Sequence, residues 1–194
     1  TGAAAAARGA SPPTVAKSYV ADTEVLFNGS PFVAFVGGLD WAGKRAFFDF
    51  ASAGGDDQYL ISLNCLSETN FTVYDYEPMA GGCLQAARNG QCCPAAEEPC
   101  DIPCQDLLGF LDSSPTEGGA CEQGARVWVD SSDGNRRACV TADGVPLWVE
   151  EDMDGLVVRF VVKSWTPGVP PDDKFEPPAS CQCDAAAAAA AAAP

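Results

Sequence analysis

The stretch Leu156–Trp165, with the sequence LVVRFVVKSW, decides the fold class of this chain. In an extended chain, successive side chains project to opposite faces, so every second residue shares a face. Four apolar residues of the stretch therefore fall on one face and its two basic residues on the other: Leu156, Val158, Phe160 and Val162, then Arg159 and Lys163. This alternation predicts a β-strand with one buried face and one face in water.

Eight further segments show β-branched and aromatic residues in short runs bounded by Gly, Asp, Asn or Pro, which is typical of strands. The connections between them are short and rich in turn residues, so consecutive strands are predicted to be antiparallel neighbours. A single short helix is predicted at Gln105–Asp112, after a proline. The eight segments are Ser18–Phe27, Pro31–Val36, Lys44–Phe50, Gln58–Asn64, Asn70–Tyr76, Ala125–Asp130, Arg136–Thr141 and Val145–Glu151.

Nine strands with one apolar face must close on themselves or have that face covered. The sequence therefore predicts an all-β, mainly antiparallel fold: a curved two-sheet half-barrel or a sandwich. A length of 194 residues favours one domain. We expect a low-complexity tail at 1–17, a β domain at 18–183 with a disulfide-rich loop at 81–121, and an Ala-rich tail at 184–194.

The charge balance excludes one class of partner. The chain has 27 acidic and 11 basic residues and a formal net charge of -16, with no basic patch along the sequence. Such a surface repels phosphate backbones, so nucleic acid is not an expected partner. The most apolar run, at Leu156–Val162, is much shorter than the roughly 20 residues that span a bilayer, so no membrane span is expected.

The ten cysteines indicate an oxidising compartment, because an even and dense set in a small chain is typical of disulfide-bonded secreted proteins. We therefore expect a secreted, extracellular or lumenal protein. The alternative is a cytosolic thiol or zinc protein. Zinc sites prefer CxxC spacings, which Cys92, Cys93, Cys100 and Cys104 do not provide, and histidine ligands, which the chain lacks.

The absence of histidine also removes the Ser-His-Asp and Cys-His arrangements of nucleophilic catalysis. Paired carboxylates could serve a glycosidase, but no spacing among the acidic residues stands out. The expectation from the sequence is that the protein is not an enzyme.

Calcium is the metal that the sequence suggests. The segment EEDMDG, at 150–155, places Glu150, Asp152 and Asp154 at alternating positions before a glycine, as in the first half of a calcium loop. The twelfth position of such a loop is Val161, where a bidentate Glu is needed. The competing interpretation is a β-hairpin with Asp-Gly at its turn. In a secreted protein, Asn70 in Asn-Phe-Thr is a predicted glycosylation site.

Aromatic residues are frequent along the predicted strands, and most are expected to fill the core. A few are predicted to line a groove between the sheets, where an apolar ligand would bind. Alternation predicts that Phe48 and Phe50 share a face, and that Trp148 faces away from Leu147 and Val149. The groove candidates are Phe48, Phe50, Tyr74, Trp128, Trp148 and Phe160.

Several motifs resemble those of ependymin-related proteins, in the same order along the chain. They are LDWAGKRAFFDF at 39–50, QYLISLN at 58–64, NFTVYD at 70–75 followed by Cys83, CDIP at 100–103, Trp128, ACVTADGVPL at 138–147, and FEPPASCQC at 175–183. Together they cover about Tyr19 to Cys183.

The resemblance implies a curved pair of antiparallel sheets, similar to bacterial lipoprotein carriers, around an apolar groove. It also implies weak calcium binding and a Cys83–Cys181 disulfide, so that Pro170–Cys183 fastens the end of the domain and is not a catalytic site. The family's N-terminal cysteine, the usual partner of Cys139, is missing, so Cys139 either pairs within the cysteine-rich loop or stays free. Partners are not assigned for Cys65, Cys92, Cys93, Cys100, Cys104, Cys121, Cys139 and Cys183.

Two functions follow from these expectations. The first is a secreted or lumenal, non-enzymatic, ependymin-like protein that binds an apolar small molecule or lipid in its groove. The alternative is a structural subunit that contacts other protein chains in an extracellular matrix, scale or surface filament.

Overall fold

The computed structural model describes residues 11–50, 59–63, 71–77, 82–88 and 107–176. These residues form eleven strands and three short 3-10 helices, and in this part of the chain no helix has the length and apolar character required to cross a bilayer. The strands are β1 (Tyr19–Phe27), β2 (Ser30–Asp40), β3 (Arg45–Asp49), β4 (Tyr59–Leu63), β5 (Phe71–Glu77), β6 (Gly82–Arg88), β7 (Thr116–Ala120), β8 (Arg126–Val129), β9 (Arg136–Val140), β10 (Pro146–Met153) and β11 (Leu156–Pro167). The 3-10 helices are Gly109–Asp112, Glu122–Gly124 and Asp172–Phe175.

All eleven strands belong to one antiparallel sheet, in the order β6-β5-β4-β3-β2-β1-β11-β10-β9-β8-β7. The sheet consists of two meanders, β1–β6 and β7–β11, which are joined where the first strand pairs with the last. The predicted all-β antiparallel class is confirmed, and each of the nine predicted strands is present. Two strands were not predicted, β6 and β7; both lie in the segment 81–121 that the sequence assigned to a loop.

A helix is predicted at Gln105–Asp112, and its last four residues, Gly109–Asp112, form a 3-10 helix in the structure. The hairpin between β10 and β11 turns at Asp154 and Gly155, which both have positive φ, at 54° and 92°. Two-residue hairpin turns of this type match the right-handed twist of strands and require positive φ at both positions. The Asp-Gly pair thus forms the turn that its sequence predicts.

One face of the sheet, called here the inner face, carries Ala21 of β1, Leu39 of β2, Ala46 of β3 and Val149 of β10. At one end of the sheet, Phe110 and Leu111 from the chain before β7 cover this face. They pack against the core residues Trp128, Ala138, Val140 and Val149, with Leu107, Leu108 and Phe160 alongside. The segment before β7 therefore serves as a roof over the β8–β10 region.

The opposite, outer face is covered at β2–β4 by the segment Pro170–Phe175, called here the strap. Phe175 is buried against Phe47 and Ile61, with its ring 5.8 Å from that of Phe47 in an edge-to-face arrangement. Arg45 holds the strap by donating to Asp172 (2.5 Å) and Asp40 (2.9 Å), and its guanidinium stacks 4.2 Å from the Phe175 ring. The strap thus fastens the chain after β11 to the sheet. Residues 177–183 of the predicted fastening at Pro170–Cys183 lie outside the described residues.

Residues 11–17 were predicted to belong to a tail at 1–17, but they pack against the folded domain. Val15 packs against the core cluster under the roof, and the Nζ atom of Lys17 lies 2.5 Å from Oδ2 of Asp112. A β-carbon at Gly144 would lie 2.1 Å from the Thr14 carbonyl oxygen, so this segment also runs tightly along the β9–β10 turn. The boundary at residue 17 is corrected, because the folded part includes this segment.

Candidate functional site

A cavity lies on the inner face where the two meanders meet. Its walls come from β1, β2 and β3 on one side and from β10 and β11 on the other, with Leu107 and Leu108 of the roof above them. The strand residues are Tyr19, Ala21, Thr23, Phe35, Gly37, Gly38, Leu39, Ala46, Phe48, Pro146, Val149, Phe160, Val162 and Trp165. The cavity therefore depends on the pairing of β1 with β11, strands from the two ends of the chain.

Small residues leave this space open and aromatic rings form its sides. Ala21, Gly37 and Ala46 face the cavity from three adjacent strands. A β-carbon on Gly37 would lie 2.9 Å from the Phe35 ring, so glycine allows that ring to lie close over the strand. Phe35 in turn meets the edge of Phe48 at 5.2 Å between ring centroids.

The cavity has a volume of about 110 Å³ and is partly open to solvent. Sites for drug-sized ligands are larger, about 300–1,000 Å³. An engineered apolar cavity of about 150 Å³ is large enough to bind benzene or xenon. The space matches a small apolar group or the end of a hydrocarbon chain.

In the part of the chain that the structure describes, no charged side chain lines the cavity. Among its lining residues only Tyr19 and Thr23 carry hydroxyl groups, and the Tyr19 ring stacks on Trp165 at 4.0 Å between centroids. Burying an ion in such surroundings is costly unless it is paired. The lining favours an uncharged, mostly apolar occupant.

The predicted groove residues fall in different places. Phe48 and Phe160 line the cavity, and Phe50 lies beside it, 5.7 Å from the Phe35 ring. Trp128 is buried with Phe110 and Leu111 and does not reach the cavity. Tyr74 lies in β5, but its side chain is outside the described residues.

Trp148 is not a groove residue, because it lies on the outer face. Its strand neighbour Val149 points inward, and strand alternation places Trp148 on the opposite side. There its indole N–H donates to Glu122 (3.0 Å), and the Arg159 guanidinium stacks 4.6 Å from its ring. The alternation predicted this orientation, so the assignment of Trp148 to the groove is corrected.

Sequence reasoning missed the residues that create the space. These residues are neither aromatic nor charged, so they did not stand out as candidates for a site. They are Ala21, Gly37 and Ala46, which share one face in three neighbouring strands. A run of small residues at strand positions that otherwise alternate with large apolar residues is the signal that could have found them. Leu107 and Leu108 were assigned to a helix, and nothing local indicates that they face a cavity.

The predicted calcium ligands do not converge. Glu150 is buried on the outer face between two arginines: it accepts from Arg137 (2.5 Å) and from Arg159 (2.6 Å). Asp152 accepts from the Gly155 N–H (2.8 Å) within the hairpin turn that contains Asp154. These carboxylates form no group of three with oxygens within 4.8 Å of one another. The Glu150 carboxylate forms ion pairs with arginines on the neighbouring strands and is not free to bind calcium. The segment is therefore a β-hairpin, as the competing interpretation holds.

Cys139 pairs with Cys121, which belongs to the cysteine-rich segment. Glu122 lies beside this disulfide, and the three residues bring one ligand atom each within 4.8 Å of one another. Because the two sulfurs are bonded to each other, they are not available as metal-binding thiolates. The pKa of Glu122 is lowered, first by its own backbone N–H and then by the Trp148 indole, which keeps the carboxylate ionised.

Several predicted sites lie outside the described residues. These are Asn70 and seven cysteines: Cys65, Cys92, Cys93, Cys100, Cys104, Cys181 and Cys183. Cys83 is in β6, but its side chain is not described, so the Cys83–Cys181 bridge stays a prediction.

Comparison with known proteins gives a structural neighbour. The crystal structure of a LolA superfamily protein from Nitrosomonas europaea matches with a TM-score of 0.40 and 10% sequence identity, over 85% of this chain and 92% of that one. Because the TM-score and the sequence identity are this low, no property of that protein is assigned to this chain. No protein-family model matches the chain, and no curated protein matches it.

Proposed function

We propose that the protein is a non-catalytic binder of apolar molecules, which it holds in the cavity between its two meanders. The observation that carries the proposal is the lining: a partly open space bounded by sixteen of the described residues, none of them charged, between a roof and a sheet. Concave apolar sites with few polar groups are the usual form of small-molecule sites.

The volume limits how a lipid would bind. About 110 Å³ accepts the end of a hydrocarbon chain, so the rest of a longer lipid leaves through the open side. Each methylene that moves from water into the cavity contributes about 0.8 kcal/mol. A few methylenes thus account for most of the binding free energy that the cavity supplies.

We further propose that the protein is secreted, is ependymin-like and binds calcium weakly. The motifs from Leu39 to Cys183 support the family assignment, and the Cys121–Cys139 disulfide supports an oxidising compartment. The net charge of -16 supports weak cation binding at no particular site.

A structural subunit is the second candidate, because the sheet does not close. Strand β7 is at the end of the sheet order, and all five of its residues are exposed. Phe32 adds an exposed aromatic side chain at 66% exposure. Exposed edge strands are sites where another chain can add a strand.

Native mass spectrometry of the protein purified from its source, under mild non-reducing conditions, separates the two functions. An apolar ligand that dissociates on organic extraction from a monomer or dimer supports the binder. A higher complex without ligand refutes it in favour of the subunit.

A cavity-filling variant tests the site itself. Ala21→Leu adds three carbon atoms to the cavity, which displaces about two methylenes of ligand and weakens 1-octanol binding at least about tenfold. The matched control is Ala34→Leu, which makes the same change on the outer face of the adjacent strand β2. Octanol affinity is measured by NMR titration of the Val162 methyl groups. If Ala21→Leu and the control bind octanol equally well, the assignment of the site is contradicted.

A further inference from the structure

Thr23 is the unusual residue of the cavity. It is 6% exposed and lines the space, and no hydrogen bond joins its hydroxyl to any residue that the structure describes. Among the described residues, the only fully buried side-chain polar atom without a partner is Nε1 of Trp128, so the Thr23 hydroxyl is not sealed in the core and stays open to the cavity. A polar group in the cavity, from water or from a ligand, can therefore supply the partner that the described residues do not.

The backbone at Thr23 is irregular in a way that marks this position. The register between β1 and β11 shifts between Asp22, opposite Ser164, and Thr23, opposite Val162, so Lys163 is an extra residue on β11. Bulges of this kind interrupt the ladder and change the direction of nearby side chains, and they are frequent next to functional sites. The bulge thus occurs at Thr23, which with Tyr19 is one of the two hydroxyl-bearing residues of the described lining.

The rest of the lining restricts the chemistry of the group that meets Thr23. No Lys or Arg of the described residues lines the cavity, and the whole chain carries a formal net charge of -16. A carboxylate or phosphate at this depth would have no cation to pair with, and its desolvation would oppose binding. An uncharged oxygen satisfies the hydroxyl without that cost.

We propose that the cavity takes a neutral lipid with one uncharged oxygen, as in an alcohol or an ester, and that this oxygen hydrogen-bonds to the Thr23 hydroxyl. The proposal rests on the proposed function, since it names the ligand class and a specificity-determining residue of the same cavity. The hydrocarbon next to this oxygen contacts the lining residues Ala21, Phe160 and Val162. Free fatty acids in their ionised form are excluded.

The test is Thr23→Val, which removes the hydroxyl and keeps the shape of the side chain. The probes are n-octane, 1-octanol and octanoate, each titrated into the full chain and followed by NMR at pH 7. We expect Thr23→Val to weaken 1-octanol binding about two- to tenfold, the usual value of one hydrogen bond, and not to weaken octane binding. Octanoate is expected to bind the wild-type chain at least about tenfold more weakly than 1-octanol, because its charge is unpaired.

A second variant separates the hydroxyl from a change in packing. Thr23→Ser retains the hydroxyl, so the ratio of its octanol to octane affinities should stay close to that of the wild type. An equal effect of Thr23→Val on octanol and octane, or octanoate binding as tight as octanol, would overturn the inference while leaving an apolar site in place. Absence of binding by all three probes to the wild-type chain would instead refute the proposed function.

Discussion

Removal of the strap's aromatic side chain, in Phe175→Ala, should destabilise the fold. Phe175 is 4% exposed and packs on Phe47 and Ile61, and the Arg45 guanidinium covers its other side. Truncation of a buried phenylalanine to alanine typically costs about 3–5 kcal/mol, from lost transfer free energy and the cavity left behind. The expected loss in the free energy of unfolding is therefore about 3–5 kcal/mol.

Urea unfolding followed by tryptophan fluorescence measures this loss, with thermal unfolding as a second readout. For a chain of this size, 1 kcal/mol corresponds to roughly 2–4 °C in Tm. Val169→Ala is the matched control: this residue precedes the strap, is 62% exposed, and should change stability by less than about 0.5 kcal/mol. If Phe175→Ala is as stable as Val169→Ala, the strap does not contribute to the stability of the sheet and the reasoning is refuted.

Two further predictions concern acid and reduction. The pKa of the buried Asp130 is lowered, chiefly by hydrogen bonds from the Ser132 backbone N–H and hydroxyl and then by Arg136. The ionised carboxylate therefore stabilises the fold at pH values above the ordinary Asp pKa. This contribution is lost as the pH falls through the lowered pKa. Urea midpoints from pH 6 to pH 2 should fall less steeply in Asp130→Asn, and equal slopes would contradict the assignment. Reduction of Cys121–Cys139, which are 18 residues apart, should lower the free energy of unfolding by about 3 kcal/mol on the chain-entropy model. Cys121→Ser should remove the effect of reductant on this pair, and a reductant-insensitive wild type would refute the prediction.

The strands that the sequence predicts are those whose burial follows a period of two. In β11, Phe160 and Val162 line the cavity while Arg159 and Lys163 pair with carboxylates on the outer face, as the alternation of LVVRFVVKSW requires. Strand β7, with the sequence TEGGA, has no apolar alternation because all its residues are exposed. Such a strand is defined by its hydrogen bonds to β8, and its own side chains give no signal.

The number of sheets and the cavity could not be predicted because both depend on non-local pairing. Short turns predict each hairpin, but nothing local indicates that β1 pairs with β11 to give one sheet. Likewise, Phe48 and Phe160 were predicted as groove residues from their bulk, whereas the space between them exists because Ala21 and Gly37 are small. The partner of Cys139 also depended on a distant contact, because Cys121 reaches it through the β7–β9 pairings.

The junction of the two meanders has a consequence for the order of folding. Hairpins within each meander close short loops and form quickly, whereas β1 and β11 must meet from opposite ends of the chain, which is a slow, high-contact-order event. The cavity is complete only when those two strands are paired. A ligand of the proposed site would therefore bind only the joined state and would stabilise it by RT ln(1 + [L]/Kd). Occupancy of the proposed site would thus hold the two halves of the sheet together.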